Sequence, residues 1–286
     1  RSVAHQREAE LLDAPLIPGL VNAHSHAFQR AFAGMAERRE SAQDDFWSWR
    51  DRMYRVALAV SPVQLKAIAK QLYTEMLRGG YTHVCEFHYL HHDLDGSAYK
   101  DPLTMTWALV EAADEVGIGL TLLPVLYERA GFTATALRDD QRRFATNAAW
   151  VLDASGSVAN RAQSSATSPL KAGVALHSLR AATPASINAL VASANGPIHI
   201  HVAEQTGEVD ECLKTTGMRP VQWLSAHHAL DSRWQLVHAT HVTHDEIDAV
   251  ASAGAGAIIC PSTEANLGDG TTDVAAWLAA GTALAI

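Results

Sequence analysis

The sequence predicts an α/β protein built as a (β/α)8 TIM-type barrel. Three observations lead there. Eight short apolar runs rich in β-branched residues recur along the 286 residues. Between them lie stretches with helical spacing or helix start signals, the repeated order of βα units. The runs are continuously apolar rather than alternating, as expected of strands buried on both faces of a parallel sheet. Such a barrel takes about 250 residues as one domain. We therefore divide the chain into a leading stub, residues 1–14, and a barrel, residues 15–286.

The elements follow in order. The first strand is read at Leu16–Asn22. Ser61-Pro62 with Gln64 then supplies an N-cap, a proline in the first turn and a capping box. Leu65, Ile68, Leu72 and Leu77 continue this helix, and Gly79-Gly80 ends it. The second strand is Thr82–His88. Asp101-Pro102 opens a helix that stops near Gly117, and the third strand is Gly119–Val125. Asp153–Ser168, rich in Ser and Ala, reads as an irregular, mobile excursion before the fourth strand at Ala172–Leu176. Thr183-Pro184 opens a helix leading to the fifth strand, Pro197–Val202. The sixth strand is Gln235–Ala239. Thr243 with Glu246 caps the next helix, which ends near Gly254. Strands at Ala257–Cys260 and Thr282–Ile286 complete the set.

Composition excludes several functions. The net charge is −9, and no long Lys/Arg run is present, which argues against nucleic acid or an anionic membrane as partner. No apolar run approaches the roughly 18 residues of a membrane span. Arg1–Asp13 has no apolar core of the kind a signal peptide needs. Cys85, Cys212 and Cys260 form no CxxC pair, so neither a disulfide framework nor a cysteine zinc site is indicated, and a reducing cytoplasm fits best. Histidine is the unusual count, at 15 residues, and it is the commonest metal ligand.

The histidines fall at strand ends. In Asn22-Ala23-His24-Ser25-His26 the two imidazoles are two residues apart, so on a strand they share a face. They would enter the barrel at its C-terminal mouth, where the sites of this fold lie. A bare HxH is more often a pair of surface histidines; its place directly after an apolar strand favours the mouth. The fifth strand carries His199, His201 and then Glu204, offering a third ligand and a carboxylate. His199, one layer deeper, reads as a core histidine. His238 ends the sixth strand, and His177 with Arg180 follows the fourth. His88, His91 and His92 follow the second strand without an assigned role. Arg50 closes an aromatic stretch, Phe46–Trp49; taken alone it reads as a surface residue, and the stretch as a hydrophobic lid.

Pro18-Gly19-Leu20-Val21-Asn22-Ala23-His24-Ser25-His26 resembles the opening signature of the amidohydrolase superfamily. His201-Val202-Ala203-Glu204 resembles the fifth-strand signature of its deaminase branch, and Cys260-Pro261 through Asn266-Leu267 its seventh-strand segment. Within that branch, the segments His24–Arg30, Phe46–Arg50, Glu86–Gly96, Leu122–Tyr127, His177–Ala181 and Ser262–Gly270 are similar to the formimidoylglutamate deiminases. The resemblance runs from about Pro15 to Ile286.

It implies hydrolytic deamination of N-formimino-L-glutamate to N-formyl-L-glutamate and ammonia, in histidine degradation. It implies one Zn2+ on His24, His26 and His201, although such ligands also accept Fe2+, nickel or manganese. Three neutral imidazoles leave a zinc ion its charge and an open position, where water ionises near pH 7. Glu204 would be the proton shuttle, with His238 and His177 at the attacking water or the formimino group. Gln29, Arg50, Tyr89 and Arg180, with His177, would hold a small dicarboxylate substrate. The family's barrels pair elsewhere, which makes a homodimer one expectation.

One departure stands out. The superfamily's mononuclear site takes a fourth ligand, an aspartate just after the eighth strand, and the sequence ends at Ile286 before reaching it. Arg1–Ala14 would be a remnant of the flanking β-sandwich region. The expectation is a chain truncated at both ends, binding zinc weakly and turning over little. Two other readings stay open: a deaminase of a purine, pterin or guanidine compound, and a non-catalytic metal-binding fragment.

Overall fold

The computed structural model describes residues 14–35, 46–164 and 169–286, with the side chains of residues 46–48 left out. The stub before residue 14, the end of the Ser/Ala-rich stretch at 165–168 and the side chains of Phe46, Trp47 and Ser48 therefore lie outside the described residues.

All the strands among the described residues join one parallel sheet. They are β1 (Leu20–Ser25), β2 (Tyr81–His88), β3 (Gly119–Leu126), β4 (Leu170–Ala172), β5 (Val174–Leu176), β6 (Ile198–Val202), β7 (Trp234–His238), β8 (Gly256–Ile258) and β9 (Ala283–Ala285). β4 and β5 are halves of one barrel strand, both paired to β3 and interrupted at Gly173. A Cβ at Gly173 would stand 2.5 Å from the Pro197 carbonyl oxygen, so only glycine lets the neighbouring chain approach this closely. The eight resulting strands follow chain order, and the Ala23 N–H donates to the Ile286 carbonyl at 2.9 Å, linking the first strand to the end of the last. The protein is a (β/α)8 barrel.

Helices connect the strands: α1 (Phe46–Ala57), α2 (Pro62–Arg78), α3 (Thr104–Val116), α4 (Ala148–Ser164), α5 (Pro184–Ser193), α6 (Thr206–Thr216), α7 (Pro220–His227), α8 (His244–Ser252), α9 (Pro261–Leu267) and α10 (Val274–Ala279). The caps read from sequence are present. Ser61 and Thr243 form capping boxes with Gln64 and Glu246, and Thr183 accepts from the Ser186 N–H. Besides a small group of Ala23, Val237 and Ile258, the apolar core has two large groups. Tyr73, Phe87, Leu109 and Leu122 belong to one, around β2 and β3; Val174, Ile198, Leu236, Trp234 and Trp277 belong to the other, around β5–β7.

Two expectations are corrected. The stretch Asp153–Ser168 is not an irregular excursion up to residue 164, because α4 runs through it. Val151, Ala154, Ser155 and Val158 recur at helical spacing and are buried, and this stripe outweighs the low propensity of Gly156 and the serines. The first strand begins at Leu20 rather than Leu16. Leu16 and Ile17 are 81% and 79% exposed, and Pro18 has no N–H to offer a ladder. The strand instead runs on to Ser25, so the first histidine of the HxH pair lies on it and the second just past its end.

No described helix is long and apolar enough to cross a membrane.

Candidate metal centre and active site

β1 and β6 deliver three histidines to one point at the C-terminal mouth. His24 Nε2 lies 2.9 Å from His26 Nε2 and 3.0 Å from His201 Nε2. The outer nitrogens explain the aim. His26 Nδ1 donates to the Phe87 carbonyl at 2.9 Å, and His201 Nδ1 donates to the His177 carbonyl at 3.0 Å. A carbonyl only accepts, so both Nδ1 atoms carry the hydrogen and both Nε2 atoms present lone pairs. A single hydrogen on His24 Nε2 could satisfy one of the two short contacts and not both. A divalent cation would satisfy all three nitrogens, and the donor set fits one.

Electrostatics agree with neutral, ligand-ready rings. Burial, reinforced by His26 and His238, holds His24 well below the usual imidazole range. Burial brings His26 down to about 4 against the opposing Phe87 hydrogen bond. Burial and the neighbouring His24, His26 and His177 do the same to His201.

Glu86, on β2, holds the turn after the HxH pair. It accepts the Ala27 N–H at 2.6 Å and the Tyr73 hydroxyl at 3.3 Å. Burial pushes its carboxyl up to about 7, against the hydrogen bonds from Ala27, Ser25 and Tyr73.

His238 ends β7 on the other side of the mouth. Its Nε2 lies 3.5 Å from Glu204 Oε1 and its Nδ1 3.3 Å from Glu264 Oε1. Burial disfavours charge on this ring, but Glu204, Cys260 and Glu264 outweigh burial and hold it well above the usual range. His238 is thus the ring of the group whose surroundings favour the protonated form. Its ring stacks on His201 at 5.5 Å, and donor atoms of His24, His201 and His238 lie within 4.8 Å of one another. His238, Cys260 and Glu264 form a second such group; Asp269 and Asp273 belong to neither. Three non-glycine residues here have left-handed backbones: Ala203 (φ 52°), His238 (φ 69°) and Ala239 (φ 45°). Such conformations are sparsely populated and cluster at functional sites.

A cavity opens above the histidines. It is lined by His24, His26, Gln29, Trp49, Arg50, Met53, Tyr54, Tyr89, Tyr127, Ala130, Gln141, His177, Arg180, His201, Glu204, His238, Thr263 and Leu267. Gln29 Nε2 donates to the Tyr89 hydroxyl at 3.0 Å, and the His177 ring packs 4.2 Å from that of Tyr127. Arg180 is half-buried beside the buried Glu208, with 4.0 Å between charged atoms, and Glu208 also accepts the Glu204 N–H at 3.2 Å. The Arg50 guanidinium sits 5.5 Å from the Tyr54 ring centre.

Comparison with known proteins now adds to this geometry. Residues 16–286 match the amidohydrolase family. The chain belongs to that family. It is 47% identical, over its whole length, to a formimidoylglutamate deiminase from Pseudomonas aeruginosa, and covers 63% of that relative. An amidohydrolase from Brucella melitensis superposes with a TM-score of 0.87 at 45% identity, over 93% of this chain and 59% of that one. An atrazine chlorohydrolase from Arthrobacter aurescens, crystallised with zinc, gives a TM-score of 0.78 at 21% identity, covering 93% and 58%, and shares the fold. The chain thus spans about three fifths of the length of these relatives.

In this amidohydrolase the ten residues singled out from the sequence all line the one cavity. His199 is buried at the other end of the barrel core, away from it. The sequence reading missed Tyr54, Tyr127, Gln141, Glu208 and Glu264. Tyr54 stands one helical turn after Arg50 on α1, a usable signal, and Tyr127 ends a segment already quoted. Gln141, which donates to both Tyr54 and Tyr127 at 3.0 and 2.9 Å, carried no sequence signal.

Proposed function

We propose that this chain is the barrel of a metal-dependent deiminase that hydrolyses N-formimino-L-glutamate to N-formyl-L-glutamate and ammonia, a step of histidine degradation in the cytoplasm. The observation that carries this reading is one cavity that joins three converging Nε2 atoms, a carboxylate and two arginines. The 47% identity to a formimidoylglutamate deiminase supports it.

His24, His26 and His201 would hold the cation, with zinc the first choice for an all-imidazole set. When bound, the cation supplies Lewis acidity toward water and the substrate. Glu204 takes one proton from the attacking water and passes it to the formimino nitrogen as the C–O bond forms. It then carries the second proton, from the new hydroxyl, to the same nitrogen, so that the C–N bond breaks, the carbonyl forms and ammonia leaves. His238, 3.5 Å from Glu204 and in surroundings that favour its protonated form, stabilises negative charge as the tetrahedral carbon forms. His177 shapes the wall at the reacting carbon. The protein is net negative, so local cations must capture a dicarboxylate. Arg50 and Arg180 do this, since a guanidinium grips a carboxylate through two parallel hydrogen bonds. Gln29 and Tyr89 complete the polar wall. A planar base would find stacking faces and amides here too, but it would bring no carboxylate to Arg50 and Arg180.

Ammonia release from a substrate panel by the metal-loaded protein tests the reading. Turnover of N-formimino-L-glutamate, with guanine and pterins inert, is expected. Turnover of guanine with formiminoglutamate inert would reject it.

A further inference from the structure

Glu264 is a buried carboxylate that the mechanism above leaves unused. It lies on α9, within the segment after β8 that drew attention in the sequence, and is 3% exposed. Its Oε1 accepts the Cys260 N–H at 2.9 Å and lies 3.3 Å from His238 Nδ1. The other nitrogen of that ring faces Glu204. His238 also has a left-handed backbone, as does the next residue, so local conformation does little to hold it and its neighbours must.

We propose that Glu264 is the positioning residue of His238, fixing the ring through Nδ1 so that Nε2 points at Glu204 and the histidine cluster. An imidazole's two nitrogens are distinct, and the partner of one decides what the other presents. A carboxylate accepts only, so Nδ1 carries the hydrogen and the ring plane is set by that bond. Without Glu264 the ring loses the contact that distinguishes one rotation about its Cβ–Cγ bond from the flipped one. The catalytic part of this inference rests on the proposed role of His238; the placement of the ring does not.

The alternative is that Glu264 only caps the first turn of α9 through Cys260. A double-mutant cycle separates the two. E264A should lower kcat about 10- to 100-fold, the usual cost of removing an outer partner, with KM and bound metal nearly unchanged. E264Q, which keeps an acceptor oxygen, should recover most of the loss. In an H238N background E264A should cost nothing further. An equal loss in both backgrounds would overturn the proposal and leave a cap. Long-range 1H–15N spectra of His238, assigned with H238N, decide the placement without any activity. Wild type should show a hydrogen-bonded Nδ1–H; a bare Nδ1 would overturn the proposal, whether or not E264A folds. A wild type inactive on formiminoglutamate but with that Nδ1–H would instead reject the functional reading alone.

Discussion

Two groups of histidines share this barrel, and their nitrogens are arranged differently. His24, His26 and His201 turn their Nε2 atoms on one another at 2.9 and 3.0 Å. His88, His91 and His92, at and beyond the end of β2, pack as rings. His88 and His91 lie edge to face at 4.6 Å, and His91 lies 4.4 Å from Trp150. His92 spends its Nε2 on the Ala145 carbonyl at 2.6 Å. His88 and His91 are buried and pushed toward neutrality by burial, as the first group is. Yet in the first group one ring nitrogen, His24 Nε2, meets nitrogens of two other rings, whereas the contacts of the second group are ring packing and a backbone carbonyl. Crowding is common to both, and burial that disfavours charge is common to the first group and to His88 and His91. Convergence of lone pairs, set by carbonyls behind the rings, separates a ligand set from a packed cluster.

The largest expected effect tests that separation. Relative to the unsubstituted chain, H201A should weaken metal binding and take turnover to background, whereas H91F, at a residue outside the cavity lining, should stay within about twofold in both. Mass spectrometry of metal after dialysis against chelator-treated buffer reads both. Metal loss in H91F, or retention in H201A, would dissolve the distinction.

The next effect lies within the first group's surroundings. E204Q should keep its metal and lose about 10²- to 10⁴-fold in turnover, the range for removing a general acid–base group. A variant that loses metal along with activity would make Glu204 part of the ligand set instead of the proton shuttle. The same preparations, assayed for both metal and ammonia, decide between these.

Much of the first group was legible because its logic is local. HxH places two side chains on one face by strand period, HxxE sets a carboxylate just past a strand end, and the caps at Ser61, Thr183 and Thr243 are read over three residues. What escaped depends on tertiary approach. Glu264 meets a ring 26 residues away, and Gln141 meets Tyr54 across 87. α4 was misread because its Ser and Gly content is a weak local signal, whereas the burial of Val151 and Val158 is set by the barrel they pack on. The two histidine groups illustrate the same limit. Both looked alike in sequence, as clusters after strands, and only the carbonyls of Phe87 and His177 distinguish them.

The smallest effect concerns the second group, as a matter of stability. Burial brings His88 down to about 3, below the roughly 6.5 of an unfolded histidine. In the window between those values the unfolded chain binds a proton that the folded chain refuses. Stability from this site is therefore complete above about pH 6.5 and declines as pH falls toward 3, by at most about 1.4 kcal/mol per pH unit. H88Q cannot take up that proton, so its Tm should fall less steeply than that of wild type between pH 6.5 and 4. The comparison belongs in metal-free protein, where loss of a bound cation cannot add its own pH dependence. Identical slopes would mean that His88 is protonated in the folded state, and that the second group holds charge among its rings. The neutral packing that sets it apart from a site would then need another explanation.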